Sequence, residues 1–247
     1  MARYAPTPAR AVRRQNAPVL TAVSRFRWQG RFGALDALTG QAGTLVRAAT
    51  GTAVDANGVT YTAGHSMPRW ESRASQLGLR LAADDLTWPC NWVPETATIL
   101  IDFSEAGTRT TSGAGLLYVG NDAQSGGRLI VDASSNQYRA TIHNGTTSQS
   151  VSLATSTPTT GQQARLLVQL DDDGTNQRVR LLLGIVGVSG ETITAWSSTV
   201  ARTATWGATA KVRANRVGSA GTQGSTWVRE VAWVPGLLSA DEIGARL

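Results

Sequence analysis

The sequence predicts a mostly-β chain: an antiparallel sandwich, with an extended basic arm before it and a short helix at its end. Three observations support this. Gly, Thr, Ser and Val are abundant and only 16% of the 247 residues are charged, which is typical of short strands joined by turns. Turn signals recur at short spacing through most of the chain. No 3.6-residue apolar periodicity persists over about twelve residues before the tail.

Basic charge is concentrated in the first 50 residues. They hold eight arginines and one acid, a balance of +7, whereas the formal net charge of the whole chain is +6. Residues 1 to 24 are also proline-rich and too poor in apolar surface to form a core. We predict an extended assembly arm that binds neighbouring subunits through Arg3, Arg10, Arg13 and Arg14. The alternatives are an unstructured tail and nucleic-acid binding, the latter disfavoured because no stacking aromatics alternate with this short cluster.

Residues 25 to 75 are predicted to form a small N-terminal β segment. The run from Asp55 to Gly58 ends in Asn-Gly, which favours a tight turn, and it separates strand Gly51 to Val54 from strand Val59 to Thr62. The string V-D-A-N-G-V, with the residues around it, resembles a segment of bacteriophage structural proteins that precedes a sandwich domain. This resemblance implies a virion protein.

Residues 76 to 247 are predicted to form the sandwich, because short apolar stretches alternate there with Gly, Asn and Asp turn signals. Asn144-Gly145 is one such turn. The predicted strands are Leu77 to Leu81, Ala97 to Phe103, Gly115 to Val119, Arg128 to Asp132, Tyr138 to His143, Ser150 to Leu153, Ala164 to Leu170, Arg178 to Val186, Thr192 to Val200 and Trp227 to Val234.

The end of the chain carries the most specific pattern. A strand from Val212 to Val217 is followed by three spaced glycines and an aromatic strand, and Ser239 with Glu242 forms the S-x-x-E capping box of a short helix. This order resembles the closing hairpin of laminin-G-like, concanavalin A-like jelly rolls, in which a segment after the last strand lies against the sandwich. The resemblance implies a jelly-roll fold and leaves the function open.

The run Asp171-Asp172-Asp173-Gly174 is the strongest candidate for a metal site. Packed carboxylates can hold Ca²⁺, but the run lacks the Gly at the sixth position and the Glu at the twelfth that an EF-hand loop needs. A hairpin turn is expected at the same place. We therefore favour a turn and predict no metal site, while the sequence leaves cation binding open.

Candidate catalytic groups are sparse. Glu95, Asp102 and Glu105 do not have the spacing that would place two glycosidase carboxylates on one strand face. His65 and His143 have no metal-ligand neighbours, and His143 is expected in a surface hairpin. We predict a protein that is not an enzyme and uses no cofactor. The single Cys90 cannot form an internal disulfide and is expected to be a small buried residue.

Trp88 and Trp92 are the candidate glycan-binding residues, because they flank one short loop and exposed tryptophan rings stack on sugars. Their alternative role is packing in the core or at a subunit interface. The leading hypothesis is a non-enzymatic structural protein of a tailed phage particle, such as a capsid decoration, tail or fibre component. It would assemble in the host cytoplasm and bind other virion subunits and copies of itself. The alternative is an adhesin that binds host surface glycans. No membrane contact is predicted.

Overall fold

Two stacked β-sheets form the protein in a computed structural model. The structure describes residues 26–29, 44–46, 52–54, 60–62, 69–73, 76–81, 85–90, 95–105, 114–121, 126–134, 137–154, 163–185, 191–203, 206, 211–214, 226–239 and 242. The strands are β1 (Phe26–Gln29), β2 (Thr44–Val46), β3 (Thr52–Val54), β4 (Thr60–Thr62), β5 (Arg69–Arg73), β6 (Gln76–Leu81), β7 (Asp85–Pro89), β8 (Ala97–Glu105), β9 (Ala114–Gly120), β10 (Arg128–Ser134), β11 (Gln137–His143), β12 (Ser148–Ala154), β13 (Gln163–Asp172), β14 (Asn176–Ile185), β15 (Glu191–Ile193), β16 (Val200–Ala201), β17 (Lys211–Ala214) and β18 (Thr226–Pro235).

The strand order defines the two sheets. The first sheet runs β15-β14-β13-β8-β18-β6-β5, with β1 also paired to β18 and β16 to β14. The second sheet runs β12-β11-β10-β9-β17-β7-β2-β4-β3. All pairs are antiparallel except β2 with β4. This arrangement confirms the predicted antiparallel jelly-roll sandwich. The predicted arm lies outside the described residues, as does the C-terminal helix apart from Glu242.

The strands before residue 75 extend both sheets. β1 pairs with β18 and β5 with β6 in the first sheet, while β2 pairs with β7 in the second. β3 and β4 are antiparallel partners, with Val54 opposite Thr60, as the Asn-Gly signal between them predicts. The domain boundary placed near residue 75 stays a prediction.

The core lies between the sheets, because alternate residues of each strand point inward. Its largest fully buried side chains include Trp88, Trp233, Phe103 and Tyr138. The rings of Phe103 and Tyr138 meet edge to face across the two sheets, with centroids 5.8 Å apart. Cys90 is buried in the same core, which confirms its expected packing role. No helix in the described part of the chain is both long and apolar enough to cross a membrane.

A second, smaller apolar cluster covers the outer face of the first sheet. After β18, the chain turns at Gly236, and Leu238 packs on outward-facing residues of four strands. The Nε2 of the buried Gln169 donates to the Leu238 carbonyl at 2.7 Å, and the Leu238 N–H donates to Thr98 Oγ1 at 2.8 Å. This confirms the predicted segment that lies against the sandwich. Those outward-facing residues are Leu100, Leu167, Leu182, Ala232 and Val234.

The predicted capping box is present. The Glu242 N–H donates to Ser239 Oγ at 3.2 Å, and the Ser239 N–H donates to Glu242 Oε2 at 2.8 Å. These reciprocal bonds satisfy two N–H groups that the first turn of a helix leaves without a backbone partner.

A buried ion pair lies on the outer face of the first sheet. The β18 register shifts between Val228 and Glu230, and such a bulge re-aims the side chain it contains. Arg229 consequently donates from Nε to Asp102 Oδ1 at 2.9 Å and from Nη2 to Oδ2. The side chain of Arg229 is 5% exposed and that of Asp102 is 6% exposed. Burial raises the pKa of Asp102, and the hydrogen bonds and charge of Arg229 and then Arg165 oppose that shift.

Two sequence-based predictions about the strands are wrong. β17 and β18 are not a hairpin, because β17 lies in the second sheet between β7 and β9 and β18 lies in the first. Eleven residues separate the two strands in the sequence, and a separation of this length does not require them to pair. The continuous strand predicted from Thr192 to Val200 is also interrupted, as β15 ends at Ile193 and β16 begins at Val200.

Candidate functional site

A shallow pocket opens at one end of the sandwich. Its volume is about 380 Å³, within the range of small-ligand sites. We call it the hairpin-end pocket, because it lies beside the β13–β14 turn. Its lining residues come from four separate parts of the chain: Glu95, Thr96, Asp172, Gly174, Arg202 and Pro235.

An ion pair between Asp172 and Arg202 forms the charged wall of the hairpin-end pocket. Arg202 Nε lies 2.7 Å from Asp172 Oδ2, and the side chains are 32% and 3% exposed respectively. Gln177 Nε2 donates to the same oxygen at 3.1 Å, and the Gly174 N–H donates to Oδ1 at 2.8 Å. Both oxygens of the sheltered carboxylate are therefore occupied. The partly exposed guanidinium is left to present its terminal N–H groups, which no described residue accepts.

Thr96 joins the strand ends that form the floor of the hairpin-end pocket. Its Oγ1 donates to the Asp172 carbonyl and accepts from the Asp172 N–H, both at 3.0 Å. The Gly236 N–H donates to the Thr96 carbonyl at 3.0 Å. The start of β8 and the ends of β13 and β18 are thus fixed together, so the pocket stands on three strands of one sheet.

Arg202 is positioned by both sheets. The backbone N–H of Arg202 donates to the Thr175 carbonyl in the β13–β14 turn at 2.7 Å. On the other side, Asn144 Nδ2 from the β11–β12 turn donates to the Ala201 carbonyl at 3.1 Å. The segment that carries Arg202 therefore bridges the two sheets at this end of the sandwich.

Gly127 leaves room for the same bridging segment. A Cβ at this position would lie 2.5 Å from Trp206 Nε1 and 2.5 Å from Thr203 Cγ2. Trp206 itself is buried at 3% exposure. The close approach means that side chains of the segment that follows Arg202 pack directly against the backbone just before β10.

The aspartate run behaves as a turn, which is the favoured prediction. Asp171 Oδ2 binds Arg178, Asp172 binds Arg202, and Asp173 Oδ1 accepts from the N–H groups that follow it. These backbone donors, those of Asn176 first and Thr175 second, lower the pKa of Asp173. The three carboxylates face different partners. Among the described residues, no three His, Cys, Asp or Glu side chains are grouped as metal ligands.

His143 lies where the surface-hairpin interpretation places it, at the end of β11. Its Nδ1 accepts a hydrogen bond from the Gly145 N–H at 2.7 Å, so that nitrogen carries no proton. Burial first and the charge of Arg128 second lower the pKa of His143. Gly145 has a φ of 99°, the left-handed conformation that the Asn-Gly signal predicts.

Of the other predicted site residues, the structure describes Trp88. Trp88 is only 1% exposed and packs in the inter-sheet core, so its ring has no free face for a sugar, and the core alternative applies to it. Trp92 lies outside the described residues, and so do the arm residues Arg3, Arg10, Arg13 and Arg14. Their roles stay predictions.

Two carboxylates line the hairpin-end pocket, but they do not form a glycosidase pair. Such a pair needs one carboxylic acid and one carboxylate that both reach the scissile bond. Asp172 is 3% exposed with both oxygens engaged, which prevents it from acting as acid or nucleophile. Asp102 is held by Arg229 on the outer face. Glu95 is the other carboxylate among the described residues that line the pocket.

Comparison with known proteins shows the fold and no family. No family model matches the chain, and no curated protein matches it in sequence. In structure it is similar to domain 4 of AbnA, a GH43 extracellular arabinanase from Geobacillus stearothermophilus, in complex with arabinotriose. That similarity has a TM-score of 0.59 at 14% identity and covers 91% of this chain and 98% of that domain.

Toxin receptor-binding structures give a second set of similarities. The botulinum neurotoxin serotype D binding domain aligns with a TM-score of 0.56 at 11% identity, over 90% of this chain. The binding domain of botulinum neurotoxin DC in complex with SialylT aligns with a TM-score of 0.53 at 11% identity. The chain spans about half of each of these structures, 51% and 50% respectively. At such identities these matches establish the shared jelly-roll fold and carry no information about assembly into a phage particle.

Sequence reasoning missed the main components of the pocket. Asp172 was noticed as part of an acidic run, while Arg202 carried no signal of its own. The two residues are 30 positions apart, and only the sheet topology brings them together.

Proposed function

We propose that the chain is a non-catalytic carbohydrate-binding domain whose saccharide occupies the hairpin-end pocket. One observation carries the proposal: an open pocket of about 380 Å³, lined by Glu95 and Arg202 among others, in which the terminal N–H groups of Arg202 have no acceptor among the described residues. Sugar hydroxyls donate and accept at once, so a wall with both kinds of group suits them. Support comes from the nearly full-length similarity to a domain solved with arabinotriose.

Charge and rigidity both favour binding at this place. Asp172 holds Arg202 in one orientation, and Thr96 fixes the strand ends beneath it. A preorganised donor loses less conformational entropy when it binds a ligand. Since the carboxylate of Asp172 is already satisfied, the site binds without offering an acid–base pair for cleavage.

A binding experiment tests this function. Purified chain is applied to a glycan panel that includes arabino-oligosaccharides, and binding is then quantified by calorimetry. We expect at least one saccharide to bind, and Arg202→Ala to weaken that binding by about tenfold or more. Arg139→Ala serves as the control, because Arg139 lies on the second sheet and pairs with Asp132. Absence of binding to every saccharide by the folded chain contradicts the proposal, as does release of sugar products.

The arginine-rich beginning of the sequence favours a second candidate function, that of a structural protein of a tailed phage particle. The eight arginines of residues 1 to 50 against one acid would attach the chain to acidic surfaces of neighbouring subunits. Its jelly roll would then display the glycan site on a particle. Deletion of residues 1 to 24 should prevent incorporation into particles while leaving the sandwich folded, and normal incorporation contradicts this role.

A further inference from the structure

The interruption between β15 and β16 is stabilised by side chains. Thr194 Oγ1 accepts the Leu181 N–H at 3.0 Å, and Ser197 Oγ accepts the Val179 N–H at 3.1 Å. The backbone N–H groups of Thr194 and Ser197 donate in turn to the Leu181 and Val179 carbonyls. Two hydroxyl groups therefore replace regular ladder bonds along the edge of β14. Interruptions of this kind re-aim a side chain at a sheet edge.

Trp196 is the side chain that this interruption positions. Its half-buried ring lies over two arginines of β14, with the Arg178 Cζ 4.8 Å and the Arg180 Cζ 4.5 Å from the ring centroid. We call these three residues the Trp196 platform. Ile193, 54% exposed and paired with Leu182, extends the platform as an apolar neighbour on the same edge.

The two arginines of the Trp196 platform differ in their charge balance. Arg178 binds Asp171 Oδ2 at 2.8 Å, which neutralises it. Arg180 donates from Nε to the neutral amide oxygen of Gln169 at 2.5 Å, and that amide is fixed by its bond to the Leu238 carbonyl. Among the described residues Arg180 has no carboxylate partner. The platform consequently keeps one uncompensated positive charge beside an aromatic ring.

We propose that the Trp196 platform binds the acidic unit of a saccharide, one that carries a carboxylate or a sulfate. The ring packs on the apolar C–H face of the sugar, and Arg180 binds the anionic group through a charge-assisted hydrogen bond. This inference rests on the proposed function and adds the chemical class of the ligand. The platform and the hairpin-end pocket lie on the same β13–β14 hairpin, at the consecutive cross-strand pairs Asp171 with Arg178 and Asp172 with Gln177, whose side chains point to opposite faces of the sheet.

A saccharide fits the platform better than a single-stranded nucleic acid does. Nucleic-acid grooves stack successive bases on several aromatic side chains. Trp88, Trp206 and Trp233 are at most 3% exposed, so among the tryptophans whose side chains the structure describes Trp196 alone is not fully buried. One ring with one uncompensated arginine matches one acidic sugar unit.

The experiment uses pairs of glycans that differ in the anionic group. The pairs are sialyllactose with lactose, trigalacturonate with its methyl ester, and a sulfated lactose with lactose, each titrated into the full chain. The acidic member of at least one pair should bind about tenfold more tightly than its neutral partner, and the responding pair identifies carboxylate or sulfate. Arg180→Gln should remove that preference. Arg180→Lys should keep it, and so should Arg139→Gln, which removes the same charge from the second sheet.

The outcomes separate this inference from the proposed function. Equal binding of acidic and neutral members, or a preference that survives Arg180→Gln, overturns the platform while leaving saccharide binding in place. Failure to bind any saccharide overturns the proposed function and the platform together. Binding of an oligothymidylate that is lost in Arg180→Gln overturns the acidic-sugar assignment in favour of nucleic acid. Thermal unfolding of each variant shows that the fold is intact.

Discussion

Two Asp–Arg pairs in the molecule show how burial separates a structural ion pair from a binding site. Asp102 and Arg229 are 6% and 5% exposed and satisfy each other on the outer face of the first sheet. Asp172 and Arg202 are 3% and 32% exposed, and the guanidinium opens onto the hairpin-end pocket. Removing one partner from a sealed pair strands a charge in a low-dielectric environment. Removing the exposed partner of the open pair leaves a carboxylate that keeps two other donors.

The largest expected effect is on the buried pair of Asp102 and Arg229. Asp102→Ala leaves Arg229 buried without its carboxylate and should lower the free energy of unfolding by about 3–5 kcal/mol. Urea unfolding measures this loss. Asp132→Ala is the matched control, because its partner Arg139 is 46% exposed. This variant should lose less than about 1 kcal/mol of the free energy of unfolding. Equal losses in the two variants would show that burial does not distinguish the pairs.

Gly127→Ala should affect both stability and binding. Its new methyl group overlaps Trp206 and Thr203, and overpacking of this kind costs about 1–3 kcal/mol. Because these two residues follow Arg202 closely in the chain, the substitution should also weaken saccharide binding. Gly174→Ala is the control for added size in the unfolding measurement alone, because Gly174 itself lines the pocket; nothing lies within 4 Å of its Cβ, and only its φ of 88° opposes the change. Unchanged stability in Gly127→Ala contradicts the packing described at this end.

Arg202→Ala tests the partly exposed pair of Asp172 and Arg202. Asp172 keeps Gln177 and the Gly174 N–H as donors, so the free energy of unfolding should fall by less than about 1 kcal/mol. Saccharide affinity should nevertheless fall by about tenfold or more. Unfolding and calorimetry on the same preparation separate the two effects. A large loss of stability with unchanged affinity would make this pair structural, like the sealed one.

The smallest expected effect concerns His143, beside the bridging segment. Because the pKa of His143 in the folded chain is lowered, the stability it contributes is present above the ordinary value of about 6.5 and is lost as pH falls from there through the lowered pKa. Protonation of Nδ1 would break its bond from the Gly145 N–H. NMR titration should give a pKa below 6.5 and a higher one in Arg128→Gln. No rise in that variant contradicts the charge contribution of Arg128.

Local features of the molecule were predictable because neighbouring residues determine them. Alternation located most strands, Asn-Gly marked the turn at Gly145, and Ser239 with Glu242 marked a capping box that the structure contains. Each of these depends on contacts within a few positions of the chain. The inward packing of Trp88 was one of two alternatives, since a tryptophan next to a proline is compatible with either a loop or a core.

Long-range features were not predictable from the same residues. The strands β17 and β18 each show clear alternation, but alternation does not specify which sheet a strand joins. Trp196 was placed in a continuous strand because Thr194 and Ser197 are as compatible with a ladder as with the side-chain bonds that replace it. Arg202 depends on contacts with Asp172, Thr175 and the β11–β12 turn, which only the folded topology supplies.

The most direct test is to map a bound saccharide by NMR. Amide resonances are followed while the tightest ligand from the glycan panel is added to the full chain. The backbone amides of Thr96, Asp172, Gly174 and Arg202 should shift together and saturate with the calorimetric affinity, while those around Asp102 and Arg229 stay in place. Saturable shifts elsewhere on the sandwich, with the pocket amides unmoved, would contradict saccharide binding in the hairpin-end pocket.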